Sequence, residues 1–190
     1  MKERNTVRSA QACPDSFGLR IPFAPGRPTT GTSMVEEREA PEPDRTNPSG
    51  EADRTAIVRE LYDRIPFHRA HDIEVLAVTP RRAETRFPFD ESLIGNPDLE
   101  VLHGGVVSSL VDLTGAAVFI GRVEDYTPTV DLRVNYLTGA GKRPLYANAT
   151  VQRSGSSIGV AHVEVESGDD VCAGDDVCAT GTGVYKLADD

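Results

Sequence analysis

Val101-Leu102-His103-Gly104-Gly105-Val106-Val107-Ser108-Ser109-Leu110-Val111-Asp112 opens the most apolar window of the chain, residues 104–120, and places a carboxylate inside it. The window reads as a helix that starts at the glycine pair and buries most of its circumference. Ionised side chains are rarely enclosed in such surroundings unless a partner or a reaction requires them. Val111, Leu113, Ala116, Ala117 and Val118 predict a largely apolar environment for Asp112. At a helix entrance the first backbone N–H groups lack intrahelical acceptors and lie at the positive end of the dipole, and glycine lets a ligand approach them closely. Gly104 and Gly105 therefore read as a donor pair for a developing oxyanion, in one segment with a carboxylate.

On either side of this helix the pattern changes period. Ile57, Val58, Leu61, Tyr62 and Ile65 fall on one helical face, with Asp53 as a cap and Pro66 as a stop. Residues 73–78 and 82–89 read as two strands joined at Thr79-Pro80-Arg81, and residues 90–102 as the loop that leads to the glycines. Beyond the helix, expected over residues 104–122, residues 129–137, 145–153, 158–165 and 178–187 are strand-like. Two strands, a buried helix and four strands predict an α+β fold, an antiparallel sheet wrapped around a long helix. Exposed edge strands favour pairing of two copies. Residues 1–52 are rich in Pro, Gly, Ser, Thr and charge without periodicity, which predicts disorder and leaves residues 53–190 as the folded domain. Gly168-Asp169-Asp170-Val171-Cys172-Ala173 is repeated at once as Gly174-Asp175-Asp176-Val177-Cys178-Ala179, which reads as an acidic, solvated hairpin extension rather than a cation loop.

The segment resembles the signature of the hotdog-fold acyl-CoA thioesterases, specifically the phenylacetic-acid-pathway type, in which HGG opens the central helix and Asp follows nine positions after the His. Ile94-Gly95-Asn96-Pro97, Thr129-Val130-Asp131-Leu132 and Tyr136 also match, so the resemblance spans about residues 55–187. It implies hydrolysis of an acyl-CoA to a carboxylic acid and CoA without a metal or redox cofactor. The Gly104 N–H would stabilise the oxyanion, with Gly105 beside it, and Asp112 of a partner subunit would act as general base or as nucleophile. By the same resemblance His103 would shape the oxyanion turn, Asn96 would orient the carbonyl or the water, and Thr129 would bind that water. Arg153, Gly155 and Ser156 would meet the phosphates of CoA. Simpler readings stand beside these: an Asn-Pro turn for Asn96, strand packing for Thr129, and a solvated Ser/Gly hairpin for residues 153–157. The family implies a homodimer or homotetramer with active sites between protomers. Alternatives are a non-catalytic acyl-CoA-binding module and an enoyl-thioester hydratase.

Composition narrows the partners. A formal charge of -10 argues against nucleic acid. Residues 34–190 hold 15 basic and 28 acidic residues, and the basic set of the whole chain is 17 Arg to 3 Lys, a composition suited to a high-salt cytoplasm. Three cysteines are too few and too scattered for a secreted disulfide framework. No signal peptide or membrane span is expected, because the N-terminus has no continuous apolar run and polar residues interrupt the window 104–120, so the predicted location is the cytoplasm. Strand alternation places Thr129, Asp131 and Arg133 on one face. His68 and His71 form an HxxH for which no further zinc ligands are found nearby.

Overall fold

The computed structural model describes residues 48–168 and 177–187. The expected disorder of residues 1–47 and the body of the acidic repeat lie outside the described residues. Helix α1 (Pro48–Asp63) begins five residues earlier than the pattern predicts. Proline at a helix start brings a pre-set φ and no N–H that needs an acceptor, and Arg54 Nη1 donates to Gly50 O at 2.9 Å within the added turn. Asp53 is therefore an exposed mid-helix residue and not a cap. A short helix α2 (Pro66–Ala70) follows, then β1 (Glu74–Val78) and β2 (Arg82–Phe87). The stretch read as loop contains a 3-10 turn (Glu91–Leu93) and a small ribbon, β3 (Ile94–Asn96) with β4 (Val101–Leu102). Helix α3 (Gly104–Val123) precedes β5 (Thr129–Tyr136), β6 (Leu145–Ser154), β7 (Ile158–Ser167) and β8 (Val177–Lys186).

Six strands form one antiparallel sheet in the order β1-β2-β6-β7-β8-β5, curled around α3 as a hotdog fold requires. The concave face is set by alternation: Leu145, Ala147, Ala149 and Val151 on β6 and Ala161, Val163 and Val165 on β7 are all buried. Against them α3 buries eleven residues, including Leu110, Val111, Leu113, Val118 and Phe119. Among the described residues α3 is also the one helix long and apolar enough to cross a membrane, yet here it is the core helix.

Small residues let the helix sit close to the sheet. A methyl group at Gly181 would overlap Val111, and one at Gly115 or Gly183 would overlap the Tyr185 hydroxyl. Tyr185 is fully buried, and its hydroxyl donates to the Asp112 carbonyl at 2.9 Å. Tyr62 from α1 donates in the same way to the Leu113 carbonyl. Burial keeps both phenols protonated well above their ordinary range, so they act as permanent donors. Thr114 Oγ1, 2.6 Å from the buried Thr85 Oγ1, donates to Leu110 O at 2.6 Å. Three side-chain hydroxyls thus grip the carbonyls of Leu110, Asp112 and Leu113, in the helical turn that carries Asp112.

The two sheet edges are treated differently. On β1, Arg59 of α1 donates to Val75 O at 2.8 Å and Leu76 O at 3.0 Å, while Thr55 Oγ1 accepts from Val78 N at 2.9 Å. These bonds occupy backbone groups that another strand would need. Among the described residues β5 pairs only with β8 and leaves its outer edge open, with Val130, Tyr136 and the following Leu137 more than half exposed.

Two predictions follow from the packing. Gly183→Ala drives a methyl group into the Tyr185 hydroxyl and is expected to destabilise by about 1–3 kcal/mol; urea unfolding that leaves the midpoint unmoved would refute the close approach. His68 packs 4.2 Å from the Tyr62 ring, its buried Nδ1 has no hydrogen-bond partner among the described residues, and burial lowers its pKa. The unfolded chain therefore takes up the proton first, and stability contributed by the neutral imidazole falls as pH drops through its ordinary value of 6.5. The stability of wild type is expected to decline more steeply than that of His68→Phe between about pH 7 and 5, and parallel curves would contradict this.

Candidate active site

The glycine pair is organised by its own histidine. His103 is the N-cap of α3, extended at φ -64° and ψ 133°, and its Nδ1 accepts from Gly105 N at 2.9 Å. The expectation that Gly105 offers a second donor is therefore corrected: its N–H is consumed in capping the helix. The His103 carbonyl accepts from Val106 N at 2.9 Å and its N–H donates to Leu93 O at 2.8 Å. On the other side, the Gly104 carbonyl accepts from Ser108 Oγ at 2.8 Å and Tyr136 Oη at 3.0 Å. Of the four polar groups in the two peptides flanking Gly104, three are engaged. Among the described residues nothing accepts from the Gly104 N–H, which sits at the positive end of a 20-residue helix.

Asp112 lies two turns along the same helix. Its carboxylate is only partly buried and Oδ1 accepts from Thr129 Oγ1 at 2.7 Å, while the neighbouring Val111 and Leu113 point into the core. The largely apolar environment expected for Asp112 is thus found on its neighbours' side and not around the carboxylate, because 3.6-residue periodicity turns position 112 away from the sheet centre. Thr129 reaches it through a β-bulge. Thr129 pairs with Tyr185 and Asp131 with Val184, so one extra residue sits on β5 between them. The inserted residue resets the alternation, as bulges do when they re-aim a side chain. Leu132 and Val134 pack on the core, and Thr129 and Tyr136 both reach α3, whereas Asp131 and Arg133 stay exposed. Thr129 does not share a face with Asp131 and Arg133, contrary to simple alternation.

Asn96 pairs with Val101 in the ribbon β3–β4 and follows Gly95, where an added methyl group would overlap His103. Its Oδ1 accepts from Asp98 N at 3.0 Å and Leu99 N at 3.1 Å. This is the Asn-Pro turn of the simpler reading, and it leaves the amide nitrogen as the group able to face a ligand. Arg153, Gly155 and Ser156 lie at the β6–β7 turn rather than beside Gly104. Gly155 N donates to Ile158 O at 2.9 Å, closing the turn, so its N–H is not the phosphate donor expected. Arg153 and Ser156 are exposed.

Arg122, which the sequence pattern left as an ordinary helix-end residue, donates to Ser154 Oγ and adds a second guanidinium to this turn. Tyr136 was legible as a family position but not as a contact of Gly104. Among the described residues no group of three or more His, Cys, Asp and Glu side chains is arranged to hold a metal ion. The His68 and His71 rings instead pack against Tyr62, Phe67 and Phe87.

A free N–H at a capped helix entrance, with a carboxylate–threonine pair two turns on, is an arrangement suited to acyl transfer. The profile of the thioesterase superfamily matches residues 99–180. Over 148 residues the chain is 31% identical to the medium/long-chain acyl-CoA thioesterase YigI of Salmonella typhimurium, a match covering 69% of this chain and 92% of that one. The YigI of Escherichia coli is 30% identical with the same coverage. Among solved structures, a thioesterase-superfamily-related protein from Shewanella oneidensis is similar at a TM-score of 0.60 and 26% identity, covering 75% of this chain and 100% of that chain. A thioesterase family protein from Silicibacter pomeroyi shares the fold at a TM-score of 0.62 and 24% identity, covering 72% and 99%. The residues that cap α3, the sheet that encloses it and these likenesses agree, and the chain belongs to the thioesterase superfamily as a hotdog-fold thioester hydrolase.

Proposed function

We propose that this chain hydrolyses acyl-CoA thioesters at sites shared between two protomers, each site combining Gly104 of one with Asp112 and Thr129 of the other. The observation that carries the proposal is the Gly104 N–H, uncommitted among the described residues and set eight helical residues from Asp112. At 1.5 Å per residue those two positions are roughly 12 Å apart along one axis. A reacting carbonyl carbon needs donor and base within about 3 Å of its immediate neighbourhood, so one chain does not supply both to the same thioester. A second copy related by a two-fold axis does, because the same patch then meets itself in reverse. The open edge of β5, with its exposed apolar side chains, favours that pairing, and the blocked edge of β1 disfavours the other. A homodimer, or a dimer of such dimers, is the assembly this implies.

In the reaction, the Gly104 N–H receives the thioester oxygen as negative charge develops on it, assisted by the helix dipole. Asp112 either removes a proton from an attacking water or attacks the carbonyl carbon itself. Thr129, donating to Oδ1, leaves Oδ2 as the free lone-pair donor. When water attacks, collapse of the tetrahedral species expels the CoA thiolate and leaves the carboxylic acid; when Asp112 attacks, collapse expels the thiolate and leaves a mixed anhydride, which water then cleaves to the acid and the free Asp112 carboxylate. Asn96 would orient the carbonyl through its amide nitrogen, and His103 would hold the turn that presents Gly104. Arg153, Ser156 and Arg122 offer the polar and cationic groups to meet the CoA phosphates, local positive charge on a strongly acidic protein. The likeness to YigI favours medium or long acyl chains, and CoA esters as substrates fit an enzyme of the cytoplasm.

Thiol release from a panel of acyl-CoAs, acetyl through palmitoyl with phenylacetyl and benzoyl, tests the reading. Asp112→Asn is expected to lower kcat by orders of magnitude without unfolding the chain. Gly104→Pro removes one N–H at a first-turn position where proline is tolerated, and His103 already has the extended backbone a following proline needs. Its expected loss is about 10²–10³ in kcat, the usual worth of one oxyanion donor. Full turnover in either folded variant would contradict the proposal.

A further inference from the structure

Tyr136 sits at the end of the open strand β5, more than half exposed, so core packing does not account for an aromatic hydroxyl there. Its Oη lies 3.0 Å from the Gly104 carbonyl and 2.7 Å from Ser108 Oγ, which is itself 2.8 Å from the same carbonyl. Each hydroxyl has one proton, so two of these three contacts are hydrogen bonds at any moment. Either both hydroxyls donate to the carbonyl, or one donates to the other, which then donates onward. In every arrangement the Gly104 carbonyl accepts from a side-chain hydroxyl, and Tyr136 ties it to β5 either directly or through Ser108. The ring is also in van der Waals range: a Cβ at Gly104 would lie 3.4 Å from the Tyr136 ring edge and hydroxyl.

Glycine has the freest backbone of any residue, and the first helical residue lacks an N–H bond to the helix behind it. A donor on such a residue points reliably only if its surroundings fix both flanking peptides. The His103 cap fixes the preceding peptide and the Gly105 N–H. We infer that Tyr136, acting with Ser108, is the positioning residue that fixes the remaining carbonyl and so pre-orients the Gly104 N–H toward the oxyanion. This rests on the thioesterase reading of Gly104 above. The tyrosine touches the peptide that follows the donor N–H, not the reacting atoms, so its removal frees rotation about Gly104 and loosens transition-state stabilisation while leaving ground-state binding largely intact.

The experiment compares wild type, Tyr136→Phe, Ser108→Ala and Gly104→Pro/Tyr136→Phe against Gly104→Pro alone, recording kcat and KM for thiol release from a medium-chain acyl-CoA and the melting temperature of each. Tyr136→Phe is expected to lower kcat by about 10-fold, the scale of a small loss of preorganisation, with KM within about 2-fold and the fold intact. Ser108→Ala is expected to follow in the same direction and more weakly. In the Gly104→Pro background, where the N–H is already gone, adding Tyr136→Phe should change kcat little. If Tyr136→Phe does not fold, the Ser108→Ala kcat and KM decide the matter in the same terms. Unchanged kcat in an active enzyme, an effect confined to KM, or a full further loss in the Gly104→Pro background overturns the inference. A wild type that releases no thiol overturns the thioesterase reading and this inference together, whereas an active wild type with an unaffected Tyr136→Phe overturns the inference alone.

Discussion

The depth at which α3 sits in the curved sheet governs nearly everything else. Gly181 and Gly183 on β8 and Gly115 on the helix remove the methyl groups that would hold the two apart, and Tyr185 fills the remaining space with its hydroxyl on the Asp112 carbonyl. A phenol enclosed this completely needs its hydrogen bond, since an unmade one in an apolar interior costs about 1–3 kcal/mol. With Tyr62 on the Leu113 carbonyl and the Thr85–Thr114 pair beside Leu110, the contact defines both the rotation and the axial position of the helix. Rotation decides that Asp112 faces outward while Val111 and Leu113 face inward. Axial position decides where the Gly104 N–H emerges.

From that placement the division of the chemistry follows. The helix presents its donor at one end and its carboxylate two turns later, and β5 reaches both through Tyr136 and Thr129. The bulge between Thr129 and Asp131 brings Thr129 to the helix face together with Tyr136. The strand carrying them is the sheet's open edge, so the surface that presents the reactive groups is also the surface suited to meet a second copy. Under the proposed pairing, catalytic need and assembly draw on the same residues, and the carboxylate on the core helix is partly exposed within a single chain.

Much of this was legible beforehand. The apolar run after His103-Gly104-Gly105 gave the central helix almost to the residue, and the alternation in β6, β7 and β8 gave the sheet, because those elements are specified by burial, which leaves a periodic trace. What escaped has no such trace. The bulge inserts one residue into Thr129-Val130-Asp131, and no local pattern announces it. The pairing of Arg122 with Ser154 joins residues 32 apart. The capture of the Gly105 N–H by His103 and of the Gly155 N–H by Ile158 depends on turn geometry, so two residues read as ligand donors proved to be closing their own turns. The early start of α1 was hidden because Pro48-Ser49-Gly50 looks like a linker until a helix is built on it.

If one active site is built from two chains, mixing two inactive variants restores activity. Gly104→Pro and Asp112→Asn are each expected to be nearly inactive alone. Co-expressed so that they assemble at random, half of the dimers pair one of each, and in such a dimer one of the two sites has both defects while the other has neither. Recovery to about a quarter of wild-type turnover is expected. Mixed dimers that form and yet remain as inactive as their parents would contradict it, because a site contained within one chain gains nothing from a partner.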